Sequence, residues 1–191
     1  MKRYIKAKTI SLLEEDSDTL KYFAKDPNTD PEVLAEISNC NNADILCYLA
    51  KNPSTPHNIL RKLFAEHTDL NLYLAENTNL PADLCEELAS PASHIVVRTE
   101  LADNPCLPVS IMERFSDDKD TDIRQVLTFN LNLPKYLIEK LANDKDPQVR
   151  KRIALHPNIS MKLLRKLSKD DKWFVREIAN DTIFERGGTV R

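Results

Sequence analysis

The sequence predicts an all-α fold: a right-handed α-solenoid, or superhelix, of about six to seven helix-pair repeats of roughly 26 residues each. Two observations predict it. Both glycines of the 191-residue chain, Gly187 and Gly188, lie within the last five residues, so other residue types must form the turns of residues 1–186. A polar residue also recurs every 25 to 27 positions after a short apolar segment, which is the period of a helical repeat.

The recurring polar residue, here called the anchor, usually precedes a proline. The spacings are 26, 25, 27, 26 and 26 residues, and the anchor column consists of Asp26, Asn52, Asn77, Asn104, Asn130 and His156. Asparagine and aspartate side chains hydrogen-bond to neighbouring backbone in tight turns. We therefore interpret the five anchors from Asn52 to His156 as structural turn residues.

Each repeat is predicted to contain two short helices on either side of its anchor. Apolar residues three and seven positions before the anchor share one face of the first helix, beside a column of alanines. The second helix carries apolar residues about eight and eleven positions after the anchor, and its first residue is predicted to be a proline: Pro31, Pro56, Pro81, Pro108 or Pro134. Because helices of eight to ten residues are too short to be stable alone, packing between repeats must stabilise them.

Three regions follow from the limits of the pattern. Residues 1–16 are predicted to be an N-terminal capping segment, because Ser11 and Glu14 fit a helix capping box. Residues 17–185 form the predicted α-solenoid repeat domain. Residues 186–191 are predicted to be a disordered tail.

The segments Asp144-Lys-Asp-Pro-Gln-Val-Arg150 and Leu49-Ala-Lys-Asn-Pro-Ser-Thr-Pro56 resemble the leucine-rich repeat variant family and, more distantly, HEAT repeats. The resemblance covers roughly residues 17–181. It implies a HEAT-like α-solenoid in which an α-helix pairs with a shorter, partly 3₁₀ helix. It implies no particular activity, because folds of this kind serve many functions.

The composition disfavours the common catalytic and cofactor-binding architectures. Phosphate-binding loops, dinucleotide folds and nucleophile elbows need glycine, which is absent before residue 187. The four cysteines contain no CxxC pair, and the four histidines form no HExxH motif. We therefore predict a protein that is not an enzyme, with no catalytic residues, no metal site and no cofactor.

Arginine and aspartate recur in step with the repeat. The arginines are spaced 26 residues apart, and three of them follow an aspartate by six residues: Arg98, Arg124, Arg150 and Arg176, with Asp118, Asp144 and Asp170. The same spacing resembles the aspartate–arginine ladder of HEAT repeats. In the structural interpretation each aspartate caps a helix start and each arginine bridges adjacent repeats; in the alternative the arginines line one surface and bind an anion.

Charge is distributed unevenly along the chain. Residues 13–122 contain eight Lys/Arg and twenty-two Asp/Glu, whereas residues 135–176 contain twelve Lys/Arg and five Asp/Glu. The basic segment, which includes Arg152 and Lys166, is either a solvated face or the binding surface for an anionic partner.

Trp173, the single tryptophan, occupies the position that holds Pro147, Thr121 and Ile95 in the preceding repeats. It either covers the end of the stack or serves as an aromatic anchor among cations for a partner. The sequence does not choose between these roles.

These features favour a non-catalytic protein-interaction scaffold that presents an extended surface to a protein partner. The alternative is a nucleic-acid-binding protein that uses residues 135–176. A cytoplasmic location is expected, because the sequence contains no secretory signal and no apolar run long enough for a membrane span. The sequence does not indicate an oligomeric state.

Overall fold

The computed structural model describes residues 17–189, and over these residues the predicted all-α fold is confirmed: they form thirteen α-helices and one 3₁₀ helix, with no strand. The chain divides into an N-terminal unit that ends at Cys106 and a C-terminal unit that begins at Leu107. The predicted capping segment, residues 1–16, lies outside the described residues, as do residues 190 and 191.

The N-terminal unit contains seven α-helices in its described part, with a 3₁₀ helix, Thr68–Leu70, directly before the fifth: α1 Ser17–Lys25, α2 Pro31–Ile37, α3 Ala43–Lys51, α4 His57–Glu66, α5 Asn71–Ala75, α6 Ala82–Leu88 and α7 Ile95–Asp103. The C-terminal unit contains six in its described part: α8 Val109–Ser116, α9 Thr121–Leu127, α10 Lys135–Leu141, α11 Pro147–Ala154, α12 Met161–Leu167 and α13 Trp173–Glu185. Between residues 17 and 189, no helix combines the length and the apolarity that crossing a membrane would require.

Packing between helices compensates for their short length. In the N-terminal unit α1, α3, α5 and α7 pack successively against one another, and in the C-terminal unit α9, α11 and α13 do the same. The apolar columns line these contacts: Leu49, Leu74 and Leu101 are completely buried. The alanines beside them, such as Ala50 and Ala75, are also completely buried and allow the helices to approach closely. Each buried leucine contributes about 2 kcal/mol of hydrophobic stabilisation.

The anchor side chains link consecutive helix pairs within the N-terminal unit. Asn77 Nδ2 donates to the carbonyl oxygens of Ala50 at 2.7 Å and Asn52 at 2.9 Å. Its Oδ1 accepts from the backbone N–H of Asn79 at 2.8 Å, which closes its own turn. Asn52 and Asn104 make the equivalent three hydrogen bonds with their neighbours. One buried amide therefore satisfies three backbone groups that a glycine-free turn would otherwise leave unpaired.

His156 occupies the same position in the C-terminal unit and uses its two ring nitrogens in place of an amide. Its Nε2 lies 3.2 Å from the carbonyl oxygen of Asn130, and its Nδ1 accepts from the backbone N–H of Asn158 at 3.1 Å. A neutral ring protonated on Nε2 satisfies both bonds. Burial lowers the pKa of His156, which favours this neutral form.

Arg186, the first residue of the predicted disordered tail, also forms hydrogen bonds to the backbone of the preceding anchor turn. Its guanidinium donates to the carbonyl oxygens of His156, Pro157 and Ile159 at 3.1, 3.0 and 2.8 Å. The carbonyl of an anchor is the group that accepts from the next anchor's amide in the N-terminal unit. Arg186 therefore takes the place of the next anchor beside His156.

Four of the five repeated prolines lie one residue earlier relative to their helices than the sequence predicts. Pro31 is the first residue of α2, as expected, but Pro56, Pro81, Pro108 and Pro134 are the residues before α4, α6, α8 and α10. Their ψ angles of about 141° to 147° are extended, so these prolines end the preceding turn and do not join the helix.

Replacing Asn77 with alanine is expected to lower the free energy of unfolding by about 3 kcal/mol, because two carbonyls and one N–H lose their partner inside the protein. Urea denaturation followed by circular dichroism measures the change. Asn79→Ala, which removes an exposed side chain of the same type, should cost less than about 0.5 kcal/mol. Equal losses in the two variants would contradict the structural role of the anchor.

Candidate functional site

Two arginines of the C-terminal unit form buried ion pairs that connect successive loops. The Nε and Nη2 atoms of Arg124 donate to the two carboxylate oxygens of Asp144 at 2.8 and 3.0 Å. Arg150 binds Asp170 in the same two-point geometry at 2.7 and 2.8 Å. The remaining Nη1 of each arginine donates to the carbonyl oxygen of the aspartate six residues before it, Asp118 or Asp144, at 2.7 and 2.9 Å.

Each aspartate of this ladder also stabilises its own loop. Oδ1 of Asp144 accepts from the backbone N–H of Asp146 at 2.8 Å, and Oδ1 of Asp170 accepts from Lys172 at 3.0 Å. The residues that cap α9 and α11 are different ones, Asp120 and Asp146. The ladder aspartates thus shape the loops before the helices, which differs from the helix-capping role expected from the sequence.

The ion pair with Arg150 lowers the pKa of the Asp170 carboxyl group and keeps it charged. Hydrogen bonding to Arg150 holds the pKa of Asp170 at about 2. The same contacts raise the pKa of Arg124 and Arg150. The side chains of Asp170 and Asp144 are only about 8% and 7% exposed. Their charges are neutralised by Arg150 and Arg124 and are not accessible to a ligand.

The ladder brings two lysine-bearing loops next to each other. The loop between α10 and α11 and the loop between α12 and α13 border an open groove of about 660 Å³. Four lysines line it, and we call it the lysine groove: Lys145, Lys166, Lys169 and Lys172. A smaller depression of about 230 Å³, which shares Asn143 and Lys166 with the groove, adds Lys162.

Few carboxylates remain free to neutralise these lysines. Of the acidic residues that line the groove, Asp144 and Asp170 are held by arginines. Asp171 is exposed and binds both Arg150 and Lys172, at 2.7 and 3.1 Å. The groove therefore presents more positive than negative charge to the solvent.

Lys166 has a structural partner as well as a place in the groove. Its ammonium binds the Oδ1 of Asn143 in the preceding loop. Lys62 binds Asn39 at 2.9 Å, and Lys140 binds Asp117 at 2.6 Å, in equivalent positions. The lysines in this column connect consecutive helix pairs. Lys145, Lys169 and Lys172 lie outside this column and are the groove lysines without such a connection among the described residues.

The other candidate binding residues lie in different surroundings. Arg98 is buried in the N-terminal unit. Arg152 lies away from the groove, with its guanidinium 4.6 Å from the ring centre of Phe129 and its Nε 3.2 Å from Gln125. Trp173 directly follows Lys172 and is 65% exposed. Val175, Ala179 and Ile183 form the buried side of α13, so Trp173 lies on the outer side of this last helix.

The sequence analysis did not identify a set of cation–π contacts between consecutive helix pairs. Lys25 lies 4.2 Å from the ring centre of Tyr48, and Lys51 lies 5.0 Å from that of Tyr73. The signal was present, because the tyrosines recur four residues before the anchors Asn52 and Asn77. These contacts add about 0.5 to 1 kcal/mol each at exposed positions.

The arrangement of the lysine groove suits reversible binding of anions. Lysine ammonium groups act as point charges that pair with carboxylates or phosphates.

Among residues 17–189 no group of three or more His, Cys, Asp or Glu is arranged to hold a metal ion. All four cysteines are unpaired, and burial raises the pKa of Cys85 to about 11, which keeps its thiol protonated and unreactive.

Comparison of the chain with protein-family models, curated proteins and solved structures found no match in any of the three. The resemblance to leucine-rich repeat variant and HEAT proteins therefore remains a prediction from the sequence.

Asp170→Asn is expected to lower the free energy of unfolding by about 2 to 3 kcal/mol at pH 7, because Arg150 loses its buried partner but keeps Asp171. The pKa of Asp170 is lowered from 3.8 to about 2 on folding, so the carboxylate stabilises the protein above pH 4 and loses this effect as the pH falls towards 2. The difference between wild type and variant in urea unfolding should shrink over that range.

Asp181→Asn, on the exposed side of α13, is the control for this experiment and should change the stability by less than about 0.5 kcal/mol. A pH-independent difference between wild type and Asp170→Asn would contradict the charged ion pair.

Proposed function

We propose that this chain is a non-catalytic binding protein, an α-solenoid of about six to seven repeats, whose lysine groove holds an acidic segment of a protein partner. The observation that carries the proposal is a groove lined by four lysines whose nearest buried carboxylates are already bound to arginine. An acidic peptide would supply the negative charge that the groove's own residues do not.

The local charge supports this assignment. Residues 135–176 carry twelve Lys/Arg against five Asp/Glu, and Asp144 and Asp170 are two of those five. Because charges more than about 8 Å apart are largely screened at physiological salt, the charges lining the groove govern binding there more than the net charge of −3.

The remainder of the sequence favours a protein partner over a long nucleic acid. Nucleic-acid affinity grows with the number of phosphates that cations neutralise. The four groove lysines could neutralise only a few phosphates, and residues 13–122 carry twenty-two Asp/Glu against eight Lys/Arg. A short acidic segment needs no cationic surface beyond the groove itself.

One observation favours nucleic acid as a second candidate. Trp173 is 65% exposed and adjoins Lys172, one of the groove residues. An exposed aromatic ring beside a cation suits the stacking of a base in a single strand, which contributes about 1 to 3 kcal/mol per base. The test therefore includes a nucleic-acid probe.

Fluorescence anisotropy with a labelled decaglutamate peptide and a labelled single strand of about 20 nucleotides distinguishes the two candidates. The peptide should bind at about 50 mM salt and more weakly at about 200 mM. The double variant Lys145→Glu/Lys169→Glu should weaken peptide binding by about tenfold or more, because both charges that change face the groove.

The control variant Lys135→Glu/Lys151→Glu makes the same change in net charge outside the groove and should alter binding by less than about twofold. Equal losses in the two variants would reject the groove as the site. Single-strand binding that is tighter than peptide binding and sensitive to Trp173→Ala would replace the proposal with the nucleic-acid function.

A further inference from the structure

Arg176 occupies the position in α13 that Arg124 and Arg150 occupy in α9 and α11, but its ion pair is missing. Its Nη1 donates to the carbonyl oxygens of Asp170 and Asp171 at 2.8 and 3.1 Å, as the other two arginines do with their own loops. Its Nε and Nη2, which in Arg124 and Arg150 bind a carboxylate, contact no carboxylate within residues 17–189.

We propose that Arg176 is a carboxylate-binding site that receives an aspartate from a loop of the protein partner. The proposal rests on the proposed function in one respect, namely that the partner is an acidic protein. The partner's aspartate would bind Nε and Nη2 of Arg176 in the two-point geometry that Asp170 shows with Arg150.

The guanidinium is already held in a binding orientation. Two hydrogen bonds from Nη1 to the loop before α13 fix the plane of the group, which lies half-buried. A fixed planar fork loses less freedom on binding a carboxylate than a flexible lysine would. Trp173, three residues earlier and therefore on a neighbouring part of the same helix face, offers an exposed aromatic surface for the rest of the partner loop.

The chain itself shows which ligand fits. Asp144 and Asp170 each bind an arginine while their Oδ1 accepts from the N–H two residues later. The short side chain of aspartate permits both bonds within one tight turn. We therefore assign an aspartate that begins a turn, in preference to a glutamate or a chain terminus.

The two arginine-bound ladder aspartates of a second copy of this chain do not supply that carboxylate. In a folded copy, Asp144 and Asp170 are about 7% and 8% exposed and already bound to Arg124 and Arg150. The ligand that we assign is instead an aspartate of the acidic protein partner proposed above.

The probe for the test is the acetylated and amidated peptide Leu141–Arg150, which carries Asp144 in its natural sequence and has no net charge. Two variants of the peptide have equal charge: Asp144→Asn removes the ladder aspartate, and Asp146→Asn keeps it. Nuclear magnetic resonance follows the Arg176 Nε–H signal of the full chain, which is assigned from its disappearance in Arg176→Lys.

The natural peptide and the Asp146→Asn peptide should shift the Arg176 signal in a saturable way, and the Asp144→Asn peptide should bind about tenfold more weakly. Binding of the natural peptide to the Arg176→Lys protein should weaken by a similar factor, because an ammonium cannot make the two parallel bonds. A signal that does not respond to the natural peptide, or an equal response to all three peptides, would overturn the proposal.

The two proposals fail separately. The peptide is neutral, so Lys145→Glu/Lys169→Glu should leave its effect on Arg176 unchanged. An Arg176 signal that stays silent while decaglutamate binds the lysine groove would refute the inference and leave the proposed function intact.

Discussion

The buried anchor side chain is the interaction on which both units depend. The described helices contain five to thirteen residues, and most are too short to persist in water without tertiary contacts. The loops that join them contain no glycine before residue 187, so side chains must satisfy their backbone groups. Asn77 does this for its own turn and for the preceding helix pair at once, and His156 and Arg186 perform the same task with other chemistry. The turn and the connection between helix pairs are therefore one structural element.

The arginine–aspartate ladder adds a second, electrostatic connection and thereby creates the candidate site. Arg150 joins two loops through Asp170, and lysines on both loops then border the same groove. Since the arginines bind the buried aspartates, the exposed lysines are left in excess. Structural ion pairing and the capacity to bind anions are thus two consequences of the same residues.

The sequence predicted those parts of the structure that repeat with a fixed period. The anchors, the leucine and alanine columns and the spacing of Arg124, Arg150 and Arg176 all follow from counting. The spacing did not show which aspartate each arginine binds, because this depends on the direction of the side chains. Arg150 binds the carboxylate of Asp170, 20 residues later, whereas it binds only the backbone carbonyl of Asp144, six residues earlier. It also missed Arg186, which replaces an anchor outside the periodic pattern. The lysine groove could not be predicted, because its lysines occupy different positions within their repeats.

The most direct test of this account compares His156→Asn with His156→Asp in urea unfolding at pH 7.5. Both residues form turns and accept from the N–H of Asn158, but only asparagine can donate to the carbonyl of Asn130. We expect His156→Asn to be at least as stable as the wild type. His156→Asp should be less stable by about 2 to 4 kcal/mol, because it places a charge against a buried carbonyl. Equal stabilities for the two variants would show that the anchor only forms a turn and does not connect the helix pairs.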